Sequence, residues 1–432
     1  MKQVVTKKID KRTLEVIFSD QLDDLNSKRN AVLCERKEIL QVDLKSPLAQ
    51  VVIGVRRSGK STLCFQALEK SGAKYGYADF NDERLAGIGS DQLNDVLEIL
   101  YKLNGNFEYL FLDEIQDVKG WHLFVNRMLR KGMHVVLTGS NANLLSSELA
   151  TYLTGRNKEI DLYPFSFSEY CRMKNVDTSS LSTKAEAFRR AAFDEYMKEG
   201  GFPEKMFIED NGSYVDDLVN NILKRDIEQR HNITYVDAFE RMANHLLNIS
   251  PATVSVPDLT ELFEFKSAVT VRNYIKYLKE AFILIEVQKF STKSRQRVSQ
   301  EKVYAVDVAM MDGRKNAFSG DNLGWRLETV VLIELKRRSA ADRSDIYYLK
   351  DRSSECDFLI CKKDSVLQAV QVSYDISAEK TRKRELKGLT FAAKKTGCKD
   401  LLLLTDHVYE NVDVDGLQIK IRPVYNWCLG ID

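Results

Sequence analysis

The 432 residues include only six prolines, no low-complexity linker and no internal repeat period, which excludes a repeat array. Charge of one sign is also lacking. Lys and Arg number 64 against 63 Asp and Glu, so the net charge is +1 and any nucleic-acid-binding surface must be local. The seven cysteines, Cys34, Cys64, Cys171, Cys356, Cys361, Cys398 and Cys428, are odd in number, scattered, and form no C-x-x-C pair. A disulfide framework and structural zinc are therefore not expected, and a reducing cytoplasm fits the pattern. The opening "MKQVVTKKIDKR" has no apolar core of signal-peptide length. No run approaches the ~18 apolar residues of a membrane span. The expectation is a soluble, cytoplasmic chain without a membrane partner, and its length predicts several domains.

What is present begins with "VVIGVRRSGKST", Val51 to Thr62. It reads G-x-x-x-x-G-K-S/T from Gly54 to Ser61. An apolar β-branched run precedes it and an amphipathic helix follows, as a strand, phosphate loop and helix require. Glycines at 54 and 59 allow successive N–H groups to point inward at phosphate oxygens. Lys60 reaches the outer phosphates, Ser61 holds Mg²⁺, and the helix N-terminus adds its positive end. Gly54, Ser58, Gly59, Lys60, Ser61 and Thr62 are the candidate nucleotide-binding residues. The nucleotide is taken as ATP, because no N-K-x-D guanine-reading sequence is evident.

A second apolar strand, "EYLFLDEIQDV", ends in Asp113-Glu114. Asp113 there suits the metal side, with Ser61, and Glu114 suits the general base acting on water. A third strand, "HVVLTGSN", ends in Thr138, Ser140 and Asn141, of which Ser140 is the favoured γ-phosphate sensor. Arg156 is a candidate arginine finger, in cis or in trans. Strands are predicted near 50–55, 75–80, 109–113, 134–139 and 158–163, with helices near 60–70, 91–103 and 121–131. That alternation implies an α/β core with a parallel sheet covered on both faces.

These stretches, with "LTGRNKEIDLYPFSFSEY", "KEGGFPE" and "KRDIEQRHNI", resemble the prokaryotic AAA-type ATPases that carry a C-terminal domain of unknown function. The resemblance implies a helical N-terminal extension (1–49), a P-loop core (50–164), a helical lid (165–235), a winged helix (236–292) and a restriction-endonuclease-like domain (293–432). It adds Arg57, Arg156, Arg225 and Asp226 to the functional candidates.

The segment 239–291 reads as three helices with a β-rich tail, a helix-turn-helix pattern with a wing. Its second helix, from about Ser267, would present Thr270, Arg272, Asn273 and Lys276 to DNA, or the module would meet a protein partner. From 303 onwards the order of elements resembles the PD-(D/E)XK nuclease core. Glu328 and Asp357 take the acidic positions, but Gln371-Val372-Ser373 stands where E-x-K is required. Glutamine brings no charge and Ser373 cannot replace a cation, so the expectation is a degenerate nuclease fold, unless a lysine such as Lys380 has migrated. The basic helix from Ser377 carries Lys380, Arg382, Lys383, Arg384 and Lys387, either a solvated face or a nucleic-acid contact. The whole reads as an ATPase that couples lid movement to a DNA-contacting C-terminal half. The alternatives are a nucleotide-dependent switch acting on a protein partner, and an ATP-gated DNA nuclease; a homo-oligomer would let Arg156 act in trans.

Overall fold

The computed structural model describes residues 8–28, 33–140, 153, 155–208, 213–291, 301–311 and 322–431. The chain divides into two compact units, Met1–Leu162 and Tyr163–Asp432.

In the first unit, α1 (Lys11–Lys28) precedes an alternation of strand and helix: β1 (Ala49–Ile53), α2 (Lys60–Ser71), β2 (Tyr75–Asp79), α3 (Leu93–Asn104), β3 (Tyr109–Asp113), α4 (Trp121–Arg130), β4 (His134–Gly139) and β5 (Asn157–Asp161). Among the described residues the strands form one sheet in the order β2-β3-β4-β1-β5. Every pairing is parallel. All five residues of β1 are buried, as for a strand covered on both faces, which is why β1, β3 and β4 are mostly apolar runs, whereas the edge strand β5 is polar. Because β4 lies between β1 and β3, the C-terminal ends of those three strands share one edge. The phosphate loop, the Asp-Glu pair and Ser140 must therefore meet there. Gln21 of α1 clamps the end of β2, donating to the Asp79 carbonyl at 2.9 Å and accepting from the Asp79 amide at 2.9 Å.

The second unit opens with α5 (Phe167–Met173) and α6 (Thr183–Glu199). A capping box fixes the start of α5: Ser166 caps the Glu169 amide, and the Glu169 carboxylate accepts from the Ser166 amide at 2.8 Å. α7 (Tyr214–Asn221) runs into a π-helical stretch, Ile222–Glu228. Next come α8 (Val236–Asn248), β6 (Ala252–Thr253), α9 (Val256–Leu262), α10 (Ala268–Glu280), β7 (Leu284–Lys289) and β8 (Glu301–Ala305). The remainder is α11 (Leu323–Asp342), β9 (Asp345–Lys350), β10 (Glu355–Lys362), β11 (Ser365–Val372), α12 (Glu379–Thr396), β12 (Leu401–Thr405), β13 (Glu410–Val414), β14 (Leu417–Pro423) and α13 (Val424–Leu429).

Two expected boundaries shift. The helices of 165–235, expected as a lid on the core, fold into the second unit. The Gly-Gly-Phe-Pro stretch is a joint within that unit. A Cβ on Gly201 would lie 2.2 Å from the Phe165 carbonyl oxygen, so only glycine allows this approach. The Gly201 amide donates to the buried Asp307 carboxylate at 2.9 Å. The break expected at 292/293 falls inside a hairpin, since β7 pairs antiparallel with β8. β7 also pairs parallel with β9, so hairpin and C-terminal strands make one sheet, β13-β14-β12-β11-β10-β9-β7-β8-β6. α12 covers a core of Leu359, Ala369, Leu389, Ala392, Leu401 and Leu403 on that sheet.

Candidate nucleotide site

The phosphate loop needs two unusual backbone conformations. Gly54 has φ +151° and a Cβ there would sit 2.0 Å from the Leu162 carbonyl oxygen; Gly59, at φ +94°, opens α2. Arg57 also adopts a positive φ, 65°. Lys60, in the first turn of α2 and 4% exposed, donates to the Val55 carbonyl at 3.1 Å and lies 3.7 Å from Glu114. The buried Ser58 hydroxyl has no hydrogen-bond partner among the described residues. A loop with an unpaired buried hydroxyl and a buried lysine at the start of a helix fits a phosphate group.

At the neighbouring strand ends, Ser61 Oγ donates to Asp113 Oδ1 at 2.9 Å, and Thr138 Oγ1 donates to the same oxygen. This serine–carboxylate pair fits Mg²⁺, which takes one or two protein oxygens and completes its shell with water and phosphate. Glu114 is held at φ 50°, turned toward β4. Its Oε2 accepts from the Ser140 amide at 3.1 Å and the Ser140 hydroxyl at 3.0 Å, and Gln116 donates to it as well. Burial and the adjacent Glu114 charge push the Asp113 carboxyl up. Burial also opposes the charge on Glu114, but Lys60, Gln116 and Arg56 outweigh it and hold its carboxyl below the usual range. Glu114 is thus ionised at neutral pH and able to accept a proton.

The expected Lys60, Ser61, Asp113, Glu114 and Ser140 therefore converge, with Gly54, Ser58 and Gly59 in the loop; Thr62 is half-buried beside them and Arg57 is exposed. Asn141 lies outside the described residues. Arg156 does not converge. Its carbonyl accepts from the Ala49 amide at 2.9 Å, at the N-terminal end of β1. The five steps from Ala49 to Gly54 separate it from the loop by about 17 Å at the usual strand rise, and its side chain is exposed. A cis finger is excluded, because parallel pairing puts the start of β5 at the sheet edge opposite the phosphate loop. Sequence reading missed Arg36, buried and donating to the Ser58 carbonyl at 3.0 Å, and Gln116. The first is a lone arginine 22 positions upstream with no motif around it; the second stood within "DEIQD" and was passed over.

In the second unit, Glu328, Asp357, Gln371 and Ser373 gather around one cleft. Gln371 is committed at both ends: its Oε1 accepts from the Asp357 amide at 3.2 Å and its Nε2 donates to Glu385 at 2.7 Å. Lys350 pairs with Glu355 at 2.6 Å, and a second lysine reaches the carboxylates from a distant segment. It is Lys302 of β8, 2.5 Å from Glu355 and 3.5 Å from Glu328. On α10, Arg272, Asn273 and Lys276 are exposed and Thr270 is half-buried; Lys276 lies 3.5 Å from Glu280. Arg225 is exposed and Asp226 buried within the π-helical stretch.

A parallel sheet carrying this loop, with Asp113-Glu114 at the next strand end but one, defines a P-loop nucleotide-binding core of the AAA type. The family model described as "AAA domain" matches residues 46–171, and a domain of unknown function, DUF8612, matches 190–317. The chain belongs to one family with an uncharacterized protein of Methanocaldococcus jannaschii, to which it is 33% identical over 442 residues, covering 98% of this chain and 97% of that one. A Haemophilus influenzae protein is 31% identical over 398 residues, 88% of this chain and 94% of its own. Solved structures overlap loosely. A Walker-type ATPase of Pyrococcus abyssi gives a TM-score of 0.40 at 15% identity, over 65% of this chain and 95% of that chain. Cdc6p from Pyrobaculum aerophilum gives 0.26 at 12%, over 71% and 92%.

Proposed function

We propose that this protein binds ATP with Mg²⁺, hydrolyses it to ADP and phosphate, and uses nucleotide occupancy to control a DNA-contacting second unit. The observation that carries the reading is Glu114: a half-buried carboxylate placed 3.7 Å from the phosphate-loop lysine and accepting from the Ser140 amide at 3.1 Å. Lys60 leaves its contact with the Val55 carbonyl to meet phosphate oxygens. Ser61 and Asp113 hold the metal, which neutralises developing charge when bound. Glu114 takes the proton from the attacking water, with Ser140 and Gln116 setting its direction. The route outward is Leu162. Its amide donates to the Ile53 carbonyl at 2.7 Å, its own carbonyl fills the space beside Gly54, and the next residue begins the second unit. A shift of the loop at Gly54 moves that strand end. The outward face of α10, with Arg272, Asn273 and Lys276, is the DNA contact of this reading, the role expected of a winged helix. Arg156, if it acts as a finger, does so on a neighbouring subunit's nucleotide.

The test is ATP turnover with and without DNA in the parent, Lys60→Ala and Glu114→Gln. Both variants should lose turnover by roughly a hundredfold or more, with Glu114→Gln still binding ATP. A Glu114→Gln protein turning over at the parent rate removes the general base. DNA that leaves both turnover and nucleotide affinity unchanged removes the coupling.

A further inference from the structure

A cleft of about 810 Å³ opens in the second unit between the start of α11, the turn joining β9 to β10, the end of β11 and the first turns of α12. Its charges are sorted by depth. The basic side chains lining it, Lys350, Arg352, Lys380, Lys383, Arg384 and Lys387, are all exposed. The acidic ones, apart from Asp351 on the rim, form the floor and are already engaged. Glu328 accepts from the Tyr304 hydroxyl at 2.8 Å and lies 3.5 Å from Lys302. Glu355 pairs with Lys302 at 2.5 Å and Lys350 at 2.6 Å. Asp357 accepts from the Val372 amide at 2.9 Å. Glu385 takes Gln371 at 2.7 Å and Arg384 at 2.5 Å. Lys302 sits behind this floor, 7% exposed and away from the opening. Burial opposes its charge, but Glu328, Asp357 and Glu355 outweigh that and hold its ammonium well above the usual lysine range. It is a permanent internal cation placed among carboxylates. The rim is different: Arg352, Lys380 and Lys387 have no ion-pair partner among the described residues, whereas Lys383 pairs with Glu379. Trp325, 42% exposed, stands at the lip.

We infer that this cleft binds the phosphodiester backbone of a single-stranded nucleic acid, and does so without a divalent cation because Lys302, Lys350 and Arg384 already pair with carboxylates of its floor. Arg352, Lys380 and Lys387 meet phosphates, and an unpaired base stacks on Trp325, a contact that a base inside a duplex does not offer. No bond is broken: Ser373 stands where the E-x-K lysine is required, and the buried Lys302 is held in ion pairs with Glu355 and Glu328. The inference deepens the reading that the second unit meets nucleic acid, and it is independent of the ATP chemistry.

The experiment is fluorescence anisotropy of a labelled oligothymidylate or oligouridylate, about 16 nucleotides long, titrated with the full chain at low salt. Binding should be the same in EDTA and in Mg²⁺. Lys380→Glu with Lys387→Glu should weaken it roughly tenfold or more and lower the salt slope by about 1.4. Trp325→Ala should weaken it too and remove the quenching of protein fluorescence on binding. A far-UV circular dichroism spectrum and denaturant midpoints at the parent's values show the second unit intact in the double variant, and unchanged ATP turnover separates this outcome from failure of the ATPase reading. The inference is overturned if the double variant binds like the parent, if duplex is bound as tightly as the single strand, or if EDTA abolishes binding. Loss of binding in Arg272→Glu with Lys276→Glu, while the cleft variant keeps it, moves the contact to α10.

Discussion

Glu114 is useful only while its carboxylate is aimed, and three donors on one oxygen do the aiming. Ser140→Ala removes the hydroxyl and leaves the Ser140 amide, so turnover should fall by roughly tenfold with ATP affinity kept. Steady-state kinetics beside equilibrium nucleotide binding checks this; an unchanged kcat would mean that Gln116 and the amide suffice. Gly54→Ala acts through sterics, because the added methyl meets the Leu162 carbonyl oxygen at 2.0 Å and the φ of +151° suits only glycine. The expected cost is about 1–3 kcal/mol, read from denaturant midpoints, together with loss of nucleotide binding. Arg156→Ala should leave dilute-protein turnover at the parent rate, because its position at the start of β5 keeps it from the site in its own chain. Any deficit should appear only as concentration is raised, in turnover measured against protein concentration. These residues differed in legibility. Lys60, Ser61, Asp113 and Glu114 announced themselves through a fixed spacing that phosphate chemistry demands. Arg36 acts through space from a segment whose local sequence says nothing; Lys302 stands in a basic run that suggests phosphate contact, and the fold buries it against Glu355 and Glu328 instead.

Elements were legible where periodicity and punctuation agree. β1, β3 and β4 were readable because strands buried on both faces must be apolar throughout, and α2 because its phosphate loop announces its start. The capping box at α5 makes a prediction of the same kind. Ser166→Ala deprives the Glu169 amide of its acceptor and the buried Glu169 carboxylate of a hydroxyl partner. It should cost about 1–2 kcal/mol by denaturant unfolding of the full chain. Gly201→Ala should cost more, since its Cβ meets backbone that cannot turn aside. The expected boundary at 292/293 divides the β7–β8 hairpin, and the parallel pairing of β7 with β9, far apart in sequence, leaves no local signature. The match to DUF8612, running to residue 317, likewise passes beyond β8.

At the scale of the molecule, two compact units place the nucleotide site wholly in the first. Saturating ATP should therefore stabilise that unit by about 2.7 kcal/mol at a hundred times its Kd. Calorimetry of the full chain should show one transition rising with nucleotide while another stays in place. A single transition that moves as a whole would instead mean that the units unfold together. By itself the sequence determined the phosphate loop, the paired acids and the alternation of strand and helix. Each is written in neighbouring residues whose spacing is set by backbone geometry. Only the tertiary structure decided that β4 brings Ser140 onto Glu114, that Arg156 stands at the far edge of the sheet, that the 165–235 helices join the second unit, and that Lys302 enters a carboxylate cluster from another strand. Those outcomes depend on strand order and on contacts between distant segments, and no local pattern of residues encodes them.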